Sequence, residues 1–190
     1  MLARDFARRG VAPARAITGD LRRQRDTLAP LGLPATVDPR WDEYDSDGIL
    51  SAHSTSAARE HRGPGDEAAP ALTSRAFQEI LEAALLGWIA AGADGPAHET
   101  WPAFAARVEA ALRDAAGGLG TGETAVVCTS GGVLAAIMVA LLGVPPEAFV
   151  RFNRVTVNTG ITRVAVGRAG LTLVSFNEHA HLDGELLTYR

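Results

Sequence analysis

The sequence predicts a three-layer α/β fold, a mainly parallel sheet with helices on both faces. Two observations predict it. Short apolar runs alternate along the chain with longer stretches of helical period. The run Ala125–Cys128 is continuously apolar, as expected of a strand covered on both faces, and passes through a glycine turn straight into another helix. The chain is long enough, at 190 residues and 47% hydrophobic, to bury a core without disulfides or metals. Its 20 glycines and 10 prolines stay below the share that marks low-complexity disorder.

Taken in order, Leu2 and Phe6 among Arg4, Arg8 and Arg9 suit a short amphipathic helix that Gly10 stops. Residues 14–18 form a brief apolar strand. Gly19 and Asp20 then turn the chain into an arginine-rich helix carrying Leu21, Leu28 and Leu31, ended by Gly32 and Pro34. Residues 36–47 are too acidic and too interrupted by proline for a regular element, so a loop is expected. Residues 51–70 turn to Ser, Ala, His, Gly and Pro with no hydrophobic period, which predicts a mobile insertion within one domain. Thr73 can cap a helix through Ala91, with Phe77, Ile80, Leu81, Ala84, Leu85 and Trp88 at helical spacing. A second amphipathic helix spans residues 102–116. After the strand at Ala125–Cys128, residues 133–142 read as a buried helix closed by Gly143 and the Pro145, Pro146 pair. Residues 161–166 and 171–176 are strands joined by a hairpin-type break at Gly167, Arg168, Ala169 and Gly170. The whole, residues 1–190, is expected to be one domain with a lid or insertion at about 51–116.

A net charge of −4 gives a field that repels phosphate backbones and anionic lipid, so nucleic acid is a poor partner and any anion site must be local. The single cysteine, Cys128, provides neither a disulfide nor a metal framework and fits a reducing compartment, so a cytoplasmic protein is expected. The opening segment lacks the apolar core of a secretion signal, and the longest apolar run, at 133–144, is too short to span a bilayer. All 18 basic residues are arginines, so cationic sites here are fork-shaped donors. Oligomeric state is not readable.

Three places could carry chemistry. Thr129, Ser130, Gly131 and Gly132 sit at the carboxyl end of a strand and the amino end of a helix, where free amides suit a phosphate; a plain tight turn is the alternative. Arg22, Arg23 and Arg25 crowd the start of a helix, where cations are unfavourable without solvent or an anionic ligand. Glu43, after Trp41 and Asp42, could act as a general acid if it lies over a pocket. Of the five histidines, His53 and His61 fall in the polar insertion, His98 between helices, and His179 and His181 near the C-terminus. None ends a buried strand.

In this order the pieces resemble the histidine phosphatase superfamily, also called phosphoglycerate mutase-like. Residues 19–27 look like the family segment in which a phosphate-pocket arginine precedes a threonine by four residues, which selects Arg23 ahead of Thr27. Trp41, Asp42 and Glu43 are similar to the stretch carrying the family's proton donor, which selects Glu43. Residues 126–132 look like the strand and turn of the second family histidine. Asn158, Thr159 and Gly160, with Phe176, Asn177, His181 and Leu182, resemble the closing segments.

The resemblance implies a phosphate monoester as substrate, hydrolysed or transferred without metal or cofactor through a phosphohistidine. Arg23 would clamp the phosphate, Glu43 would protonate the leaving alkoxide, and Ser130 and the Gly131 amide would be further donors. Two departures stand out. The family's first strand, ending in Arg-His-Gly and supplying the nucleophile, has no counterpart in the sequence, and Ser130 replaces the second histidine, as in a branch with Ser-Gly-Gly. The polypeptide is therefore expected to be a truncated phosphatase whose start codon was assigned too late. A missing central strand should leave an exposed groove, poor stability and no turnover. Two alternatives remain: a non-catalytic phosphoester-binding relative, and a serine hydrolase using Ser130 with His179 or His181. The second lacks the glycine two residues before the nucleophile, where Cys128 stands.

Overall fold

A computed structural model describes residues 2–53, 74–182 and 184–189. Seven α-helices and five strands are present among them. The chain divides into two compact units, residues 1–43 with 106–190, and residues 44–105.

In the first unit, α1 (Leu2–Arg8) stops at Gly10, which takes the left-handed conformation (φ 65°) that glycine adopts without penalty. Asp5, only 4% exposed, is held by Arg8 (2.6 Å) and Arg9 (2.7 Å), so this buried carboxylate is paired. β1 (Arg15–Thr18) is the centre of a three-stranded parallel sheet, with Ala16, Ile17 and Thr18 buried. The chain then runs through α2 (Arg22–Leu28) to β2 (Ala35–Val37), which pairs with β1 from Ala16↔Ala35 to Thr18↔Val37. On the other side of β1 lies β3 (Ala125–Cys128), paired from Arg15↔Ala125 to Thr18↔Cys128. It leads into α6 (Gly131–Leu142), whose Val133, Ala135, Ile137 and Met138 are all under 5% exposed, as its uniformly apolar sequence requires. α7 (Ala148–Val155) buries Phe149 and Val150. A separate antiparallel hairpin, β4 (Ile161–Gly167) and β5 (Gly170–Glu178), follows.

The second unit is helical. It holds α3 (Ser46–His53), α4 (Ser74–Ala90) and the first turns of α5 (Trp101–Gly117), whose remainder belongs to the first unit. Tyr44, Trp88, Trp101 and Phe104 are buried together with ring centroids 5.4–6.0 Å apart, and the Trp88 indole donates to the Glu99 carbonyl (2.7 Å).

The mixed α/β class with a parallel sheet is as the sequence predicts, and three details differ. Residues 36–47 are not all loop, because β2 ends at Val37, Pro39–Trp41 forms a 3₁₀ turn capped by the Asp38 carboxylate, and α3 begins at Ser46. Proline is accommodated at the first position of that turn, where its missing N–H costs nothing. Residues 51–53 of the expected insertion are the last turn of α3; its other residues, with His61 and the Thr73 cap, lie outside the described residues. β3 is half-buried along its whole length rather than fully buried. Its second edge bears no strand among the described residues, and neither does the outer edge of β4. Both edges line one cleft of about 1210 Å³ within the first unit.

Candidate active site

The parallel sheet fixes where the expected site residues meet. β1 and β3 run side by side in the same direction, so the turns after them, at Gly19–Asp20 and Thr129–Ser130, emerge together at their carboxyl ends, where open parallel sheets collect ligands. From the first turn α2 carries Arg23, and from the second α6 begins at Gly131. Arg23 Nη2 donates to Ser130 Oγ across 3.2 Å.

The three clustered arginines are not equivalent. Arg22 pairs with Asp26 (3.3 Å) and Arg25 with Asp20 (2.7 Å), both at the solvent-exposed surface. Arg23 makes no ion pair among the described residues and lines the cleft, keeping most of its donors for a ligand.

Glu43 reaches the same place. Its Oε2 accepts from the Gly132 N–H at 3.3 Å, in the first turn of α6. The segment before it is held from several sides. Arg107 Nη1 donates to the carbonyls of Arg40 and Asp42 (2.8 Å each), while the Trp41 carbonyl accepts from Thr129 Oγ1 (2.6 Å) and Gln24 Nε2 (3.0 Å). Asp42 Oδ1 in turn accepts from the N–H groups of Asp20 (2.7 Å) and Leu21 (3.3 Å), at the start of α2. The segment carrying Glu43 and the helix carrying Arg23 are therefore bonded directly to each other.

Ser130 is 8% exposed and precedes the first residue of α6, yet its hydroxyl caps no backbone N–H of that helix. It accepts from Arg23 and from Gln24 Nε2 (2.9 Å). Gly131 is buried beside it and also lines the cleft. Arg23, Glu43, Ser130 and Gly131 thus share one cleft, all four within the first unit.

No histidine lines this cleft among the described residues. His179 Nδ1 donates to the Asn177 carbonyl (2.7 Å), and His181 Nε2 lies 3.5 Å from Thr159 Oγ1. Neither bonds Ser130. Both partners of Ser130 Oγ are donors and neither is a base, so the arrangement that a serine nucleophile needs is missing from the described residues. Burial pushes the Cys128 thiol up to about 11, which disfavours its thiolate. Among the described residues no cluster of His, Cys, Asp or Glu could hold a metal ion, and no helix is long and apolar enough to cross a membrane.

Sequence reasoning passed over Gln24, Asp42, Thr129 and Arg107. Asp42 and Thr129 adjoin residues that it selected. Gln24 carries a faint signal as a large polar residue at the third position of a helix, and Arg107 carries none, because its partners are backbone carbonyls 65 and 67 residues away.

The fold has solved counterparts, each about a fifth identical to this chain. A structure titled mycobacterial hydrolase 2 is 22% identical, with a TM-score of 0.61, covering 97% of this chain and 78% of its own. A mycobacterial glucosyl-3-phosphoglycerate phosphatase in complex with inorganic phosphate is 22% identical, with a TM-score of 0.60 and coverage of 96% and 84%. The same phosphatase in complex with VO3 also gives 22% and 0.60, with coverage of 94% and 81%. No curated protein sequence matches significantly. The family model of the histidine phosphatase superfamily, branch 1, matches residues 1–179, nearly the full length over which the cleft and both of its turns are built, and the chain belongs to that superfamily.

Proposed function

We propose that this chain binds the phosphate group of a small phosphorylated compound in the cleft at Arg23, Ser130 and Gly131. The convergence of Arg23 on Ser130 carries the reading, for it sets a guanidinium with no carboxylate partner among the described residues against a hydroxyl at a helix start. Arg23 clamps the equatorial oxygens, and the Ser130 hydroxyl and Gly131 amide add neutral donors. Glu43, in its protonated form, gives its proton to the leaving alkoxide. Serine in place of a second histidine leaves the pocket with one fewer potential cation to stabilise charge on the transferring group.

In this family the phosphoryl group passes through a phosphohistidine, and the described residues offer no histidine at the cleft. Without a histidine there we expect binding and no turnover, so this chain acts as a phosphoester-binding module. With one, it is a phosphatase or phosphotransferase of this family. A location in the cytoplasm and a single domain with residues 51–116 as its lid belong to the same proposal.

Isothermal titration with inorganic phosphate and vanadate tests the binding, and p-nitrophenyl phosphate tests turnover. The expected result is saturable vanadate binding and no hydrolysis. Absence of binding overturns the reading, and Glu43-dependent hydrolysis overturns the part about the nucleophile.

A further inference from the structure

Gln24 is the most deeply buried polar residue at the cleft, 2% exposed, although a surface helix would ordinarily leave a glutamine in solvent. Three bonds explain its burial. Its Oε1 accepts from the Leu21 N–H (3.3 Å), and its Nε2 donates both to the Trp41 carbonyl (3.0 Å) and to Ser130 Oγ (2.9 Å). These partners fix the amide's orientation, because a flipped amide would set an oxygen against the Trp41 carbonyl and an NH₂ against the Leu21 N–H. Room for it comes from Gly19, where a Cβ would fall 2.1 Å from Gln24 Oε1.

With the amide fixed, the state of the serine follows. A serine hydroxyl has two lone pairs and one proton. Arg23 and Gln24 both donate to Ser130 Oγ, so both lone pairs are taken and the proton has no acceptor among the described residues. Ser130 can then only donate. A donor beside a guanidinium and a helix amide matches an oxyanion's needs, whereas a serine free to rotate would spend part of its time capping its own helix.

Resting on the phosphate-binding reading above, we propose that Gln24 is a positioning residue: it locks the Ser130 hydroxyl as a donor toward the bound oxyanion and, through the Trp41 carbonyl, ties the Glu43 segment to the same point. Gln24→Met keeps the length and removes both donors. In the ligand-free protein it should move the amide resonances of Ser130, Gly131 and Gly132 together with those of Asp42 and Glu43. It should weaken vanadate binding about tenfold, as expected for loss of one well-placed donor interaction.

The decisive readout is a double-mutant cycle with Ser130→Ala. If Gln24 acts through the serine, Gln24→Met costs less than twofold in vanadate affinity once Ser130 is alanine. If it merely supports the fold, the tenfold loss persists in that background and the inference is overturned. Thermal unfolding checks that each variant folds, and Gln24→Glu, which keeps the shape and likewise lacks the donors, replaces Gln24→Met should that variant not fold. Unmoved amides at 130–132 overturn the inference whatever the binding data, whereas a wild-type chain that ignores vanadate overturns the functional reading instead.

Discussion

Replacing Arg23 by alanine separates a phosphate site from an ordinary charged helix face. Arg23 commits one of its five N–H donors to Ser130 and meets no carboxylate among the described residues, while Arg22 and Arg25 are engaged with Asp26 and Asp20. A hydrogen bond to a charged group contributes about 1.5–3 kcal/mol, and the solvent-exposed position of Arg23 favours the lower half of that range through screening. A loss of about 2 kcal/mol corresponds to roughly 30-fold weaker vanadate binding at low ionic strength, since 1.4 kcal/mol is tenfold. Arg22→Ala and Arg25→Ala remove the same formal charge from the same helix and should each change affinity by less than about twofold, because surface ion pairs contribute little. Calorimetric titration of the three variants side by side, with thermal unfolding to confirm folding, measures the difference. Equal losses from all three would mean that vanadate responds only to the field of the helix, and the argument for a pocket would fail.

Three further outcomes follow from the same geometry. Arg107→Met removes the donors that hold the Arg40 and Asp42 carbonyls and should cost about 2–3 kcal/mol, lowering the unfolding midpoint by roughly 5–10 °C; an unchanged midpoint would show that the segment before Glu43 is held without it. The Cys128 thiol, raised by burial from 9.0 to about 11, should alkylate with iodoacetamide at pH 8 about 100-fold more slowly than an unperturbed thiol, and a rate like that of free cysteine would contradict its burial. The Asp5 carboxyl is held below its ordinary value of 3.8 by the hydrogen bond from Arg8 and the neighbouring Arg9. Because the folded value lies below the unfolded one, this stabilisation is complete above the ordinary value and is lost as pH falls through the lowered one. Asp5→Asn should therefore flatten the fall in unfolding temperature on the acid side of that ordinary value, and an identical acid limb in the variant would refute the assignment.

The order of strands and helices was legible because it rests on local signals: the apolar run at Ala125–Cys128, the glycine stops and the helical period of residues 74–90. β2 was not, since its three residues are all exposed and it exists only because β1 offers a parallel partner. The half-burial of β3 was equally hidden, as a strand's sequence records which faces are apolar and says nothing of an unpaired edge. At the site, Arg23, Glu43 and Ser130 are selected by the resemblance of their segments to the family, and the structure adds what joins them. Those joints run mostly from side-chain donors to backbone carbonyls, and backbone acceptors leave no mark on residue identity. Gln24, Thr129 and Arg107 owe their places to carbonyl oxygens at 40, 41 and 42, which any sequence would provide.

How a chain of net charge −4 would hold a dianion at the proposed site turns on where its donors point. A serine before a helix usually turns its oxygen back to satisfy the helix's own N–H groups, which quenches the positive end of the dipole. Here that oxygen is occupied from behind by Arg23 and Gln24, and no side-chain cap forms. The start of α6 therefore keeps part of its positive charge, with the Gly132 amide donating to Glu43. The guanidinium, the Ser130 proton and the Gly131 amide remain within one cleft. Each is modest alone, but the opposing field of the rest of the molecule is screened beyond about 10 Å at 0.1 M salt, whereas these three act at hydrogen-bond distance. The site thus depends less on the number of cations than on keeping the serine from satisfying its own helix.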